Sequence, residues 1–222
     1  MKTQLKFIAM AVAALAAHSA FAQSAGSWMV RAGATRIAPQ VDSGNLSAPS
    51  LPNSKNDIGA DTQLSGGLTY MVTDNVSIDL PVALPFKHKL YGAGALASAG
   101  QVGEVSALPV TIFVQYRFME PNAKLRPYVG LGATYARFYN EQGSATLTAL
   151  TNPGGPPTQL SIQSKYALTP QIGATVAVDE RWFVDVFYSK TYLRNKTTLS
   201  TGQSIDITLD PNSYGVSVGY KF

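Results

Sequence analysis

Apolar and polar residues alternate with a period of two in eight separate stretches of this chain. In "WMVRAGAT", Trp28, Val30, Ala32 and Ala34 oppose Met29, Arg31, Gly33 and Thr35. In "LSGGLTYMV", Leu64, Leu68, Tyr70 and Val72 oppose Ser65, Gly67, Thr69 and Met71. "VSIDLPVALPF" sets Val76, Ile78, Leu80, Val82, Leu84 and Phe86 against Ser77, Asp79, Pro81, Ala83 and Pro85. "LPVTIFVQYRF" sets Leu108, Val110, Ile112, Val114, Tyr116 and Phe118 against Pro109, Thr111, Phe113, Gln115 and Arg117. The pattern returns at roughly 127–139, 166–178, 182–193 and 205–222. Such alternation over about ten residues predicts β-strands with one apolar face. Bulky residues hold one parity while Gly, Ser and Thr dominate the other. A soluble barrel would point its apolar residues inward, but these small residues are too slight to form a dry core, so the apolar face looks outward.

The connections alternate as well. Three are short, at 73–75, 119–126 and 179–181. Four are long, at about 37–62, 87–106, 140–163 and 194–204, and they are rich in Gly, Ser, Asn and Pro. The layout predicts an all-β, eight-stranded antiparallel transmembrane β-barrel with short periplasmic turns and four long extracellular loops. Ten residues at ~3.3 Å each, tilted by ~40°, give about 25 Å of height, the apolar band such barrels need. Closure also leaves no strand edge facing lipid.

The first 22 residues stand apart. Lys2 and Lys6 open a short apolar run from Phe7 to Ala17, which ends on Ala20-Phe21-Ala22. That pattern predicts a secretory signal peptide over 1–22, cleaved to leave Gln23 at the start of a barrel over 23–222. Removing Lys2 and Lys6 lowers the formal charge from +4 to +2, which shows no nucleic-acid footprint. Only 14% of the residues are charged, against ~25% in an average soluble domain. Cysteine is absent, so no disulfide supports the exported chain. These features predict an integral protein of a bacterial outer membrane.

The segments "WMVRAGATRIAP", "TYMVTDNVSIDLPVALPFKHKL", "LPVTIFVQYRF", "RPYVGLGATY" and "LDPNSYGVSVGYKF" together resemble the outer membrane protein W family, which includes alkane-uptake proteins. Asn212-Ser213 departs from the pattern, where an aromatic would be expected after Asp210-Pro211. The resemblance spans nearly all of 23–222. It implies a monomeric eight-stranded barrel with a hydrophobic channel for small apolar molecules.

Catalysis is not expected. His88 is the only histidine beyond residue 22, and Lys87 and Lys89 beside it disfavour an imidazolium; it reads as a surface residue of the rim. No His, Cys, Asp or Glu cluster has metal-ligand spacing. "GAGALASAG" at 92–100 lacks the strand-to-helix context and the lysine of a phosphate loop, and reads as a flexible extracellular loop. No cofactor is expected.

Four constellations remain. Arg31, Asp79, Arg117, Asp185 and Lys221 share the inward parity near the short-turn end, which predicts an ionic cluster that plugs the lumen or simply packs it. Pro81, Pro85 and Pro109 interrupt the third and fourth strands and predict a weak lateral seam, unless they merely end those strands early. Trp28, Trp182, Tyr220 and Phe222 predict a periplasmic aromatic girdle, and the terminal aromatic also resembles the signal read by the barrel-assembly machinery. Lys87, Lys89, Arg137, Lys165, Lys190, Arg194 and Lys196 predict a basic extracellular rim facing the lipid and lipopolysaccharide phosphates of the outer leaflet.

Together these readings predict a channel for passive uptake of small hydrophobic molecules, with lateral release into the bilayer between strands three and four. The rival is a non-transporting structural or adhesive barrel whose loops bind partners. Inward Gly67, Gly130, Gly132, Gly173, Gly215 and Gly219 argue for an open lumen, whereas Phe113, Tyr128, Phe138, Phe183 and Phe187 could fill it.

Overall fold

Antiparallel strands dominate residues 23–222, the part of the chain that the computed structural model describes; the signal-peptide assignment lies outside it. In chain order the strands are β1 (Trp28–Ala38), β2 (Asp42–Ser43), β3 (Ser54–Ile58), β4 (Asp61–Met71), β5 (Val76–Ala83), β6 (Phe86–Gly94) and β7 (Gln101–Arg117). They continue with β8 (Leu125–Gly143), the short helix α1 (Ala145–Thr151), β9 (Leu160–Ile162), β10 (Lys165–Ala177), β11 (Trp182–Lys190), β12 (Arg194–Leu199), β13 (Ser204–Thr208) and β14 (Asn212–Lys221).

Eight walls close on themselves. The order runs β1, β4, β5 with β6, β7, β8, β10, β11 and β14, which pairs back onto β1 from Met29↔Lys221 to Ala38↔Asn212. Leu64, Val82, Val114, Leu131, Ile172 and Val216 each leave more than half their surface exposed on the outside. Lipid buries that band, and the alternating polar parity faces the lumen, as the pattern predicts.

The third wall departs from strict alternation. β5 pairs with β7 only from Val76↔Tyr116 to Asp79↔Phe113, and pairing resumes at Phe86↔Ala107. Between those points residues 80–85 face 108–112, one residue more on the first side. A slip of one residue turns every later side chain to the other face. Phe86, expected outside, is therefore 1% exposed inside the barrel, and His88, expected at the surface, is 5% exposed.

Beyond the apolar band the four long connections are folded. β7 and β8 run on past the bilayer as a hairpin pair, and β3 adds to β6. A second sheet, ordered β2-β13-β12-β9, stands beside them. Ser144 caps α1 by accepting from the Leu147 N–H, which satisfies one of the helix's orphan donors. Leu90, Val105, Leu147 and Leu199 form one apolar cluster there, and Leu193, Ile205, Ile207 and Leu209 form another. "GAGALASAG" is the closing turn of the β6–β7 hairpin, with one 3-10 turn at Ala97–Ala99, rather than a free loop. The expected final strand over 205–222 is two strands. It breaks at Leu209-Asp210-Pro211, where Asp210 adopts φ 29° and its carboxylate accepts from the Leu193 N–H at 2.9 Å.

Candidate functional site: a layered lumen with a gap in its wall

The lumen closes at the short-turn end. Arg126 is fully buried there and donates to the carbonyls of Gln23 at 2.8 Å, Asp74 at 2.7 Å, Phe118 at 3.2 Å and Met119 at 3.3 Å. Those carbonyls come from the amino-terminal segment and two separate turns. Gln23 is itself buried, its N–H donating to Pro121 O at 3.0 Å.

An ionic layer lies above this floor. Arg31 grips Asp79 through two bonds, Nη1 to Oδ1 at 2.6 Å and Nη2 to Oδ2 at 2.9 Å, and Nη1 also donates to Thr69. Asp185 approaches Arg31 Nε at 4.0 Å and accepts from Tyr128 and Thr175. Arg117 uses neutral acceptors instead: Ser77, Gln115, Thr175 and Gln23. Its guanidinium also sits 4.8 Å over the Tyr128 ring. Arg31, Asp79 and Asp185 thus meet, and Arg117 joins them through Thr175 and Tyr128. Lys221 is buried but joins no ion pair among the described residues, because it lies one rung lower, opposite Met29, while Arg31 stands opposite Gly219.

The six inward glycines do not leave the lumen open. Each stands directly opposite a large inward side chain: Gly67 faces Arg31, Gly130 Gln115, Gly132 Phe113, Gly173 Tyr128, Gly215 Phe187 and Gly219 Phe183. A Cβ on Gly132 would come within 2.6 Å of the Phe113 ring, and one on Gly67 within 2.7 Å of the Arg31 guanidinium. The glycines are niches, and they let the lower lumen fill.

Next comes a belt of threonines. Thr111, Thr134, Thr169 and Thr191 link hydroxyl to hydroxyl at 2.8, 2.6 and 3.0 Å across β7, β8, β10 and the residue after β11. A largely apolar cavity, part of it open to solvent, runs from Arg31, Phe113 and Gln171 up past the belt into the folded extracellular region. Its upper wall includes Ile58, Leu90, Val105, Phe138, Leu193 and Ile207. At the level of the ladder gap it reaches Pro81, Val82, Ala83 and Pro109. The gap lies only toward β7: on its other edge β5 stays tied to β4 as far as the bond from Leu84 N to Leu64 O at 3.0 Å.

Comparison with known proteins bears on this arrangement. The model of the OmpW family matches residues 24–222. The chain belongs to the OmpW family. It is 33% identical to outer membrane protein W of Vibrio cholerae, over 95% of each chain. It is 25% identical to the dibenzothiophene metabolism operon protein PahQ of Pseudomonas aeruginosa, over 88% of each chain. The crystal structure of the outer membrane protein OprG from Pseudomonas aeruginosa superposes with a TM-score of 0.82 at 25% identity, over 92% of this chain and 99% of that one. This OmpW-family protein is an outer-membrane barrel.

The remaining expected residues of this OmpW-family barrel divide by position. Trp182, Tyr220 and Phe222 meet edge to face in sequence, with ring centroids 5.2 and 5.0 Å apart, and Trp28 lies 4.7 Å from Tyr70. Phe222 N donates to Trp28 O at 2.9 Å, so the two chain ends share the girdle. Lys87, Lys89, Arg137 and Lys165 are exposed above the apolar band, and Lys190 is half-buried at its edge. Arg194 and Lys196 are not at the ends of barrel strands; they ride on β12 in the second sheet, Lys196 opposite Asp206. Sequence reasoning missed Arg126, which it assigned to a turn. Extending the inward parity of Tyr128 back by two residues would have found it.

Proposed function

We propose that this barrel is a channel for passive uptake of small hydrophobic molecules, which leave sideways into the outer leaflet between β5 and β7. The observation that carries the reading is the cavity at the ladder gap. Its wall there includes Val82, whose side chain is 64% exposed on the lipid side. An apolar solute entering from the extracellular end meets apolar walls, then buried ions. Hydrocarbon beside the gap is the lower-energy exit, because passage downward would break paired charges. Prolines 81, 85 and 109 lack ladder donors and keep the gap from zipping. The relative named for a dibenzothiophene metabolism operon supports an apolar cargo by analogy.

Several partners follow from this reading. The exposed lysines and arginines above the apolar band would meet lipopolysaccharide phosphates. The terminal aromatic strand would be read by the barrel-assembly machinery after export through a cleavable leader over 1–22. The closed ring would serve as a monomer.

Val82 and Val110 would stand opposite each other if the pairing of 76–79 with 113–116 continued. A disulfide between Val82→Cys and Val110→Cys would lock that closure reversibly in this cysteine-free chain. Pro85→Ala and Pro109→Ala would assist it by restoring donors. Oxidation should slow uptake of labelled naphthalene by cells carrying the variant, and reduction should restore it. Uptake indifferent to the lock would remove the lateral route and leave the channel. No uptake above cells lacking the protein would favour a structural or adhesive barrel.

A further inference from the structure

The cavity is apolar in its bulk, and one aromatic acceptor stands in its wall just above the ladder gap. His88 lies on β6, two residues above Phe86 and immediately above the ladder gap, and it lines the cavity. Its Nδ1 sits 2.8 Å from the carbonyl of Gly59. A carbonyl can only accept, so Nδ1 carries the proton and Nε2 of the neutral ring is left as a lone-pair acceptor. Nε2 has no hydrogen-bond partner among the described residues. The ring is held on its flank by Phe86, with centroids 6.3 Å apart and planes 15° apart. Contacts on two sides thus fix its orientation.

A second observation points the same way. Among the described residues, two buried side-chain atoms lack any partner, and both are amide oxygens of residues lining this cavity: Asn56 Oδ1 and Asn195 Oδ1. The Asn195 oxygen is assigned by its own amide nitrogen, which donates to Gln163 O at 2.8 Å. Ser43, Ile207 and Asn195 stand opposite one another across β2, β13 and β12, and the Asn56 N–H donates to Ser43 Oγ at 3.0 Å. Lower down, the four threonine hydroxyls share three bonds among themselves.

We propose that His88 Nε2 is a recognition point for a hydrogen-bond donor, so that the preferred cargo is an apolar molecule carrying one hydroxyl or N–H, such as a phenol or an alcohol, rather than a bare hydrocarbon. A hydrocarbon against the ring leaves the acceptor unpaired; a phenol of the same size pairs it and keeps its apolar contacts. The position of His88 above the gap presents that cargo to the lateral exit. The inference rests on the channel reading and refines its substrate class.

The test uses the protein in lipid nanodiscs, with 2-naphthol and 2-methoxynaphthalene as probes. The two are close in size, and only the first donates. The methyl signals of Leu90 and Val105 report entry to the cavity, and the Nε2 nitrogen shift of His88 reports the hydrogen bond. Both probes should move the methyl signals, only 2-naphthol should move Nε2, and 2-naphthol should bind about tenfold tighter. His88→Leu should bring the two affinities together. His88→Gln, which keeps a donor for Gly59 and an acceptor for the cavity, should retain part of the preference and covers the case in which the leucine variant does not fold. Equal binding of both probes with a stationary Nε2 would overturn the inference while leaving the channel intact. Methyl signals that respond to neither probe would overturn both.

Discussion

A guanidinium taken out of water needs opposite charge and enough acceptors for its donors. Arg31 finds both in Asp79 and Thr69. Asp79 is fully buried, so Asp79→Ala strands a cation and should lower folding stability by ~3–5 kcal/mol. The shift would be read as a lower urea midpoint for the loss of heat-modifiable migration. Small-ion conductance in planar bilayers should rise as the plug loosens, and a variant matching its parent in both measures would show that water already reaches the pair. Arg117, held by neutral oxygens and an aromatic face, should respond more to Thr175→Val than to loss of either carboxylate. In the periplasmic turn, the N–H groups of Trp182 and Arg181 hold the Asp179 carboxyl below the usual carboxylate range. Its folded value is depressed, so its support for the turn is present above the ordinary value of 3.8 and fades as pH falls through the lower folded one. Asp179→Asn should flatten the loss of turn order that sets in as pH falls below about 4, followed by the Arg181 and Trp182 amide signals.

Parity carries most of what the strands show. Seven of the eight walls keep the faces that alternation assigns, because one face must meet lipid and no slip is tolerated. The exception starts after Pro85, where one surplus residue inverts Phe86, His88 and Leu90; alternation cannot register a bulge whose cause is the unpaired stretch opposite 108–112. Deleting Leu84 should let β5 and β6 run as one continuous strand against β7, with Phe86 and His88 still inward, which would close the gap and slow uptake without abolishing the barrel. The glycines were legible as inward but not as occupied. Their meaning depends on which residue stands across the ladder, and a single strand does not encode its partner's register. The niches make a sharp prediction. Gly132→Ala should cost about 1–3 kcal/mol by crowding Phe113, and Phe113→Leu should recover most of it, so that a double-mutant cycle gives a large coupling energy. Additive effects would mean that the ring does not occupy the niche.

At the scale of the whole molecule, strand number, closure and the terminal girdle were readable from composition and spacing. The folded extracellular region was not, because its short strands pair across large separations: β2 meets β13, and β12 meets β9. Most of the ionic layer was readable from parity, whereas the Arg126 floor was hidden because its acceptors are backbone carbonyls, which any sequence supplies. Removing Phe222 should slow assembly in cells while the purified chain still folds into detergent, which pulse-chase heat-modifiability would distinguish; normal assembly would remove the terminal residue's role as a signal. The floor also has a consequence for the order of events. Arg126 binds the carbonyl of Gln23, 103 positions away, and the carbonyls of two turns that exist only once their hairpins have formed. Contacts that span such distances form late, because loop closure must come first. Gln23, both turns and Arg126 itself all lie before β10, so the floor ties the first half of the chain together without calling on the strands that close the ring onto β1.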